Sequence, residues 1–151
     1  KFNILINNGK PEGGKWSYDK YNRENYPYNY KTNDKIILNE DKYVIEAIEY
    51  VNKNFNKNIG STKFYLPINH DEAKKHLKNF LKYRLECFGP YQDAVNDKII
   101  YGCHSLLSPL INIGLLNPKY IIDETIKYYK KYKVKLESVE GFIRQIFWRE
   151  Y

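Results

Sequence analysis

The sequence contains no methionine, even at position 1, and only two cysteines and two tryptophans. The missing first methionine predicts that the chain is processed or is part of a longer protein. Because Cys87 and Cys103 lack the spacing of metal ligands, they indicate no cysteine-based metal site. We expect two buried free thiols in a reducing compartment, with a disulfide as the alternative.

The sequence also lacks any apolar run of membrane-spanning length, and its apolar start is too short for a signal peptide. Neither a transmembrane segment nor secretion is therefore predicted, and we expect an intracellular protein. With 151 residues, the chain is long enough to form one domain with a buried core, or a piece of one.

Basic residues outnumber acidic ones by 25 to 18, which gives a formal net charge of +7 and a pI near 9.2. Such a charge is typical of proteins that bind nucleic acid or another polyanion. Most of the basic residues are lysines spread along predicted helices, so a solvated basic surface explains the charge equally well. The 16 tyrosines fit the codon usage of an AT-rich genome and indicate no function by themselves.

The chain divides into an irregular N-terminal part and a helical C-terminal part. Residues 1–40 are rich in glycine, proline, asparagine and tyrosine, which mark turns, and Phe2 to Ile6 could form one short strand. Residues 41–55 carry an apolar stripe that is typical of a helix. We therefore predict that residues 1–60 form an interdomain connector with one helix and that residues 61–151 form a helical unit.

The helical part shows no strand alternation, so the predicted fold class is mainly α. Asn69 and Glu72 form a capping box that begins a helix over about 70–87, and Gly89-Pro90 is expected to end it. Later helices are predicted from caps and prolines, with starts near Pro109, at Asn117-Pro118 and at Ser138.

The last predicted helix, within residues 137–151, has two contrasting faces at about 100° per residue. The apolar face, which should pack on a core, consists of Val139, Phe142, Ile143 and Ile146. The opposite face carries an amide, a stacking aromatic, a guanidinium and a glycine that allows close approach, namely Gln145, Trp148, Arg149 and Gly141. Such a face suits a flat, polar, anionic ligand. An ordinary amphipathic helix that carries these side chains on its solvent-exposed face, without a ligand, would show the same pattern.

Two further segments carry residues that could bind a ligand. Ser108 is placed to cap a helix whose first turn holds Pro109, and exposed N–H groups and hydroxyls at a helix start favour an anion. An ordinary Ser-Pro cap without a ligand is the alternative. The other segment, from Phe88 to Ala94, presents Tyr91 at a tight turn.

Taken together, these segments resemble the deoxyribodipyrimidine photolyase-related proteins, the prokaryotic (6-4) photolyase branch of the cryptochrome/photolyase superfamily. The resemblance covers nearly the whole chain in the expected order. The matching segments are Pro11-x-Gly13-Gly14-Lys15-Trp16-x-x-Asp19-x-x-Asn22-Arg23, Phe80-Leu81-x-x-Arg84-Leu85, Phe88-Gly89-x-Tyr91-Gln92-Asp93-Ala94, His104-Ser105-x-Leu107-Ser108-Pro109, Asn112-x-Gly114-Leu115-Leu116-x-Pro118 and Ser138 to Tyr151.

The resemblance implies a light-driven DNA photolyase, in which FAD in a helical domain donates an electron to a pyrimidine lesion flipped out of the duplex. It implies that this chain holds the N-terminal part of the FAD-binding domain, preceded by an irregular connector from the α/β antenna domain. Gln145 and Trp148 are implied to line the mouth where lesion and flavin meet. The residues implied in FAD binding are Tyr91, His104, Ser105, Leu107, Ser108, Gln145 and Arg149.

The resemblance also defines what this sequence would lack. Family members are several times longer, so the isoalloxazine contacts, the iron–sulfur cluster and the antenna chromophore are expected in parts outside it. Phe147 stands where the family usually has glycine, and Arg144 is predicted to pair with Glu140 one turn earlier.

We therefore expect a fragment of a photolyase, with (6-4) photoproducts as the expected lesion, that is not active alone. Its expected partners are damaged DNA and complementary segments of the same photolyase. Two alternatives stay open, namely a cryptochrome-like flavoprotein photosensor and a non-enzymatic basic helical module that binds nucleic acid.

Overall fold

A computed structural model describes residues 4–32 and 36–151 of the chain. The described residues are mainly α-helical, as predicted, and their two short strands pair with each other near the N-terminus. None of the described helices is long and apolar enough to cross a membrane. The strands are β1 (Ile6–Asn7) and β2 (Lys10–Pro11), and the helices are α1 (Lys42–Asn54), α2 (His70–Tyr83), α3 (Leu85–Tyr91), α4 (Ser108–Asn112), α5 (Pro118–Tyr132) and α6 (Leu136–Glu150).

Two helices begin at the side-chain caps that the sequence predicts. At the start of α2, the side chain of Asn69 accepts a hydrogen bond from the Glu72 N–H at 2.9 Å. At the start of α5, Asn117 accepts from the Lys119 N–H at 2.8 Å, and Pro118 occupies the first position. Both predicted starts are confirmed, because each depends only on contacts within a few residues.

The helix predicted over 70–87 is in fact two helices, because the helical conformation is interrupted at Arg84, between α2 and α3. Gly89-Pro90 does not end the helix as predicted, and both residues lie inside α3. A proline inside a helix removes one backbone donor, so this arrangement needs a replacement donor from elsewhere in the fold.

Ser138 supplies that donor. The prediction that Ser138 caps the last helix is wrong, because α6 begins two residues earlier, at Leu136. Because Pro90 has no N–H, the carbonyl of Glu86 loses its helical donor, and the Ser138 hydroxyl donates to it at 2.7 Å. The same hydroxyl accepts from the Gly89 N–H at 3.2 Å. A Cβ on Gly89 would lie 2.8 Å from the Ser138 Cα, so a glycine is required where α3 and α6 approach.

The hydrophobic core lies where α6 packs against α3 and α5. Its aromatic centre consists of three rings, with the Phe142 centroid 4.7 Å from that of Phe80 and 5.4 Å from that of Phe88. The predicted apolar face of α6 is confirmed. Its buried residues are Val139, Phe142, Ile143 and Ile146.

The N-terminal segment forms a hairpin in place of a single strand. Of the strand predicted at Phe2 to Ile6, residues 2 and 3 lie outside the described residues, and β1 begins only at Ile6. β1 pairs antiparallel with β2, with Ile6 opposite Pro11. Gly9 has a φ of +74° in the connecting turn, a conformation that glycine adopts without strain.

The segment that follows the hairpin packs onto the helical part. The Tyr129 hydroxyl of α5 donates to Glu12 at 2.7 Å, and the Tyr18 N–H donates to Glu140 of α6 at 3.2 Å. These contacts hold residues 12–18 against α5 and α6. The division into a connector over residues 1–60 and a helical unit stays a prediction.

The helix predicted over 41–55 is confirmed as α1, but much of its apolar stripe is uncovered. Val44 is buried, whereas Val51 and Phe55 are 38% and 48% exposed. Val44 and Val51 line an open cleft of about 580 Å³ together with residues 61–64.

The expectation of two free thiols is wrong, because Cys87 of α3 and Cys103 form a disulfide with their Cα atoms 5.6 Å apart. The two residues are 16 positions apart in sequence, and the loop after α3 brings them together. Cys103 is buried, and its sulfur lies 3.2 Å from the hydroxyl oxygen of Tyr30. The disulfide therefore fixes the loop before α4 against α3.

Candidate functional site

The start of α4 places Ser108 at the surface. The predicted serine cap is wrong, because Leu107 occupies the cap position and its carbonyl accepts from the Ile111 N–H at 3.0 Å. Pro109 lies in the first turn, as predicted. Ser108 is exposed, and its hydroxyl makes no hydrogen bond within the described residues. The hydroxyl is therefore available to a ligand.

The predicted ligand face of α6 is only partly exposed. Gln145, Trp148 and Arg149 are exposed, with Trp148 at 68%. Gly141 is buried, and a Cβ on it would lie 2.5 Å from Nδ2 of Asn22. The missing side chain of Gly141 therefore makes room for Asn22 and not for a ligand.

Arg149 connects the end of α6 to α4. Its guanidinium donates to the side-chain carbonyl oxygen of Asn112, the last residue of α4, and to the carboxylate of Glu150. Because α4 begins at Ser108, the serine and the arginine lie at opposite ends of one short helix. A cleft of about 600 Å³ beside Arg84 and a cleft of about 310 Å³ beside Trp148 include neither Ser108 nor Arg149 in their walls.

The other residues implied in FAD binding are held mainly by internal contacts. The ring of Tyr91 packs on Tyr26 and Tyr30, with centroids 4.9 and 5.3 Å away. Leu107 is buried in the core with 1% of its surface exposed. The backbone carbonyl of Ser105 accepts from Nε2 of His76 at 3.0 Å, which fixes the segment before α4 to α2.

Two half-buried histidines help to hold this segment: His76 contacts it from α2, and His104 is part of it. Burial lowers the pKa of His76 below its ordinary value of 6.5, and the hydrogen bond with Ser105 opposes that shift. Burial likewise lowers the pKa of His104, against a hydrogen bond with the backbone of Ala94. Because a carbonyl oxygen only accepts, Nε2 of the neutral His76 ring carries the proton.

We expect the free energy of unfolding to decrease as the pH falls below 6.5, because both folded pKa values lie below the ordinary histidine value. The unfolded chain then binds more protons than the folded chain. The stability that the neutral rings contribute is fully present above pH 6.5 and is lost as the pH falls through the folded pKa values. Urea midpoints on both sides of pH 6.5 measure this loss. The double variant His76→Gln/His104→Gln should show a flatter pH dependence, and an unchanged dependence would contradict the assignment.

Arg144 is used inside the fold, as predicted. Its Nε donates to Glu140 at 3.0 Å, and its Nη1 donates to Asp19 at 2.8 Å. A hydrogen bond from Arg23 is the main cause of the lowered pKa of Asp19, and the charges of Arg23 and Arg144 add to it. This network holds the segment around Asp19 on α6, whereas Arg149 is exposed near the end of the helix.

Trp16 is a candidate functional residue to which the sequence interpretation assigns no role. The structure places it in the wall of the same cleft as Trp148. The sequence itself offers one indication of such a role, because tryptophan is scarce. The chain has two tryptophans, and each lies in a segment that resembles the family.

Comparison with known proteins gives consistent matches. The family described as deoxyribodipyrimidine photo-lyase-related protein matches residues 1–65. A (6-4) photolyase of Agrobacterium fabrum is 34% identical over 153 aligned residues, which cover 100% of this chain and 30% of that protein. A deoxyribodipyrimidine photo-lyase of Buchnera aphidicola is 27% identical over 110 residues, covering 70% of this chain and 20% of that protein. The uncharacterized protein R853 of Acanthamoeba polyphaga mimivirus is 47% identical over 62 residues, covering 40% of this chain and 48% of that protein.

The resemblance inferred from the sequence is thereby confirmed: residues 1–65 match the photo-lyase-related family, and the whole chain is similar to a (6-4) photolyase. It spans about 30% of the length of the (6-4) photolyase that it matches.

Proposed function

We propose that this chain forms part of a light-driven, FAD-dependent DNA photolyase that repairs UV-induced pyrimidine lesions, with (6-4) photoproducts as the substrate. Similarity to a (6-4) photolyase over the whole chain supports the class of activity. The contact between Arg149 and Asn112 is the structural observation that carries the proposal, because it joins the α6 end to the helix that Ser108 begins. Residues 1–60 would serve as the connector and residues 61–151 as the N-terminal half of the FAD-binding domain.

The donors at the two ends of α4 would bind the phosphates of a dinucleotide. Ser108 offers a hydroxyl with no other partner among the described residues, and Arg149 offers a planar fork of N–H donors that matches phosphate oxygens. Ser105 would add a second hydroxyl, since only its backbone carbonyl is engaged with His76. When bound, FAD supplies the light-driven electron transfer, and the protein supplies binding and orientation.

The remaining assigned residues would support the site from behind or line its mouth. Tyr91 packs on Tyr26 and Tyr30, His104 is half-buried and Leu107 is buried, so these three residues would shape the wall behind the cofactor. Gln145 and Trp148 are exposed on α6, where an amide and an indole would contact a lesion flipped out of DNA. This chain alone is not expected to be active, and complementary photolyase segments would complete the site.

We expect Ser108→Ala and Arg149→Ala each to weaken FAD binding by about 10-fold or more, because each removes a donor to a charged phosphate, worth about 1.5–3 kcal/mol. The measurement is flavin absorbance retained by the 151-residue chain after mixing with complementary photolyase segments. Ser61→Ala is the matched control, since Ser61 is an exposed serine in the loop between α1 and α2. No flavin uptake by the reassembled wild-type protein would contradict the proposal.

A basic module that binds nucleic acid is the second candidate, and the exposed lysines near the end of α5 favour it. Lys127, Lys130 and Lys131 are exposed on this helix, and Lys133 follows it. This function predicts DNA binding that weakens with salt and needs no flavin. Reversal of these lysine charges should then reduce binding more than Ser108→Ala or Arg149→Ala does, and the opposite ranking would exclude the module.

A further inference from the structure

The cleft of about 600 Å³ beside Arg84 gives access to one side of the disulfide. Cys87 is half-buried and lies in the wall of this cleft, whereas Cys103 is 1% exposed and is not part of the wall. A molecule that enters from solvent therefore meets Cys87 first. Because thiol–disulfide exchange depends on which sulfur the attacking thiolate can reach, the cleft favours attack at Cys87.

The surroundings of Cys103 favour the same direction of exchange. Its sulfur lies 3.2 Å from the hydroxyl oxygen of Tyr30, and the hydroxyl is the donor, because a disulfide sulfur carries no hydrogen. The same donor would stabilise a thiolate at Cys103, and a stabilised thiolate leaves faster. The backbone N–H of Cys103 also donates to the Tyr26 hydroxyl at 3.3 Å. Cys103 is therefore suited to be the sulfur that leaves.

The charges in the wall of this cleft select the kind of molecule that would enter. Among the described residues of the wall, Lys31 and Arg84 carry positive charge and none carries a carboxylate. Lys31 is exposed, and the Arg84 guanidinium lies over the Tyr101 ring, 4.9 Å from its centroid. A cleft lined by one sign of charge attracts the opposite sign, and this volume is in the range of small-molecule sites. A small thiol that carries carboxylates therefore suits the cleft better than a cationic one.

We propose that Cys87 is a site of reversible S-thiolation by a low-molecular-weight thiol that carries carboxylate groups. The thiolate of the incoming molecule attacks the Cys87 sulfur and forms a new S–S bond, while the bond between Cys87 and Cys103 breaks. The electron pair of the broken bond leaves with the Cys103 sulfur, which then takes a proton from water. The thiol is the sole co-reactant, because one disulfide is exchanged for another. The inference goes beyond the proposed function, since neither FAD nor DNA takes part.

Mass spectrometry of a glutathione adduct tests which sulfur is attacked. The oxidised 151-residue chain is mixed with reduced glutathione at about pH 8, where thiols are partly ionised. Acid then protonates the thiolates and stops the exchange, and the peptides that contain each cysteine are identified. We expect the adduct on Cys87 and a thiol at Cys103. An adduct mainly on Cys103, or equally on both cysteines, would overturn the inference.

Cys103→Ala covers the case in which the wild-type disulfide closes again before an adduct accumulates. This variant keeps Cys87 as a thiol and is mixed with oxidised glutathione, whereas Cys87→Ala keeps only the buried Cys103. Far-UV circular dichroism checks that both variants are folded. We expect Cys103→Ala to form its adduct at least about 10-fold faster, because thiol reactivity follows exposure. Equal rates, or a faster reaction of Cys87→Ala, would contradict the assignment.

Two variants that keep the disulfide test the cleft itself, with the rate of disulfide loss in glutathione as the measurement. Lys31→Glu should slow this loss about 3-fold, because an attractive charge becomes a repulsive one. Lys57→Glu should not, since Lys57 is exposed outside the cleft wall. Tyr30→Phe should also slow the loss about 3-fold or more, because the leaving thiolate loses its donor. Tyr28→Phe is its control, with Tyr28 102% exposed. Wild-type rates in both Lys31→Glu and Tyr30→Phe would overturn the inference.

Discussion

Reduction of the Cys87–Cys103 disulfide is expected to lower the free energy of unfolding by about 3 kcal/mol. The bond closes a short loop, since the two cysteines are 16 residues apart, and a closed loop of about 15 residues restricts the unfolded chain by roughly that amount. Urea unfolding of the oxidised protein, with and without dithiothreitol, measures the difference as a shift of the midpoint.

The double variant Cys87→Ala/Cys103→Ala separates the bond from side effects of the reductant. It should be less stable than the oxidised wild type, and dithiothreitol should not change its midpoint. The oxidised folded protein should also resist thiol alkylation. Ready alkylation of both cysteines without reductant would show two free thiols and would contradict the disulfide.

This disulfide also bears on the candidate site, because Cys103 immediately precedes His104 and Ser105. The hydrogen bond from His76 to the Ser105 carbonyl fixes the same segment from the side of α2. Two independent constraints therefore hold the chain just before α4, next to the two proposed serine donors, Ser105 and Ser108. Rigid placement of donors reduces the entropy that ligand binding must overcome.

Sequence reasoning succeeds where a feature depends on neighbouring residues. The caps at Asn69 and Asn117 are correct because the acceptor and the donor lie two or three residues apart. The buried face of α6 is correct for the same reason, since helical periodicity alone decides which side chains share a face.

Sequence reasoning fails where a residue far along the chain decides the outcome. Gly89-Pro90 reads as a helix end, yet α3 continues because Ser138, about 50 positions later, donates to the carbonyl that the proline leaves free. Gly141 reads as an opening for a ligand, yet Asn22 occupies that space. No local pattern contains either contact.

The candidate site shows both behaviours. The exposure of Gln145, Trp148 and Arg149 follows from the helical pattern of α6, whereas the bond from Arg149 to Asn112 depends on the packing of α4. The proposed roles of these residues rest on family resemblance. The structure adds the internal partners that already occupy polar side chains of α6. Arg144 illustrates this, because Asp19 and Glu140 both bind its guanidinium.

Phe142→Ala is expected to reduce the free energy of unfolding by about 3–5 kcal/mol, the usual cost of removing a buried phenylalanine ring. Phe142 is 2% exposed and lies at the centre of the core, with its ring in contact with those of Phe80 and Phe88. Since small domains are stable by only about 5–15 kcal/mol, the loss would remove a large part of the total. Urea unfolding followed by far-UV circular dichroism measures it.

Phe55→Ala provides the matched control, because the chemical change is identical and Phe55 is 48% exposed at the end of α1. Its expected cost is about 0.5 kcal/mol, as for other surface substitutions. The contrast tests whether α6 is anchored through its apolar face, which is the condition for presenting Trp148 and Arg149 at fixed positions. Equal destabilisation by the two variants would show that the three-ring cluster does not anchor α6.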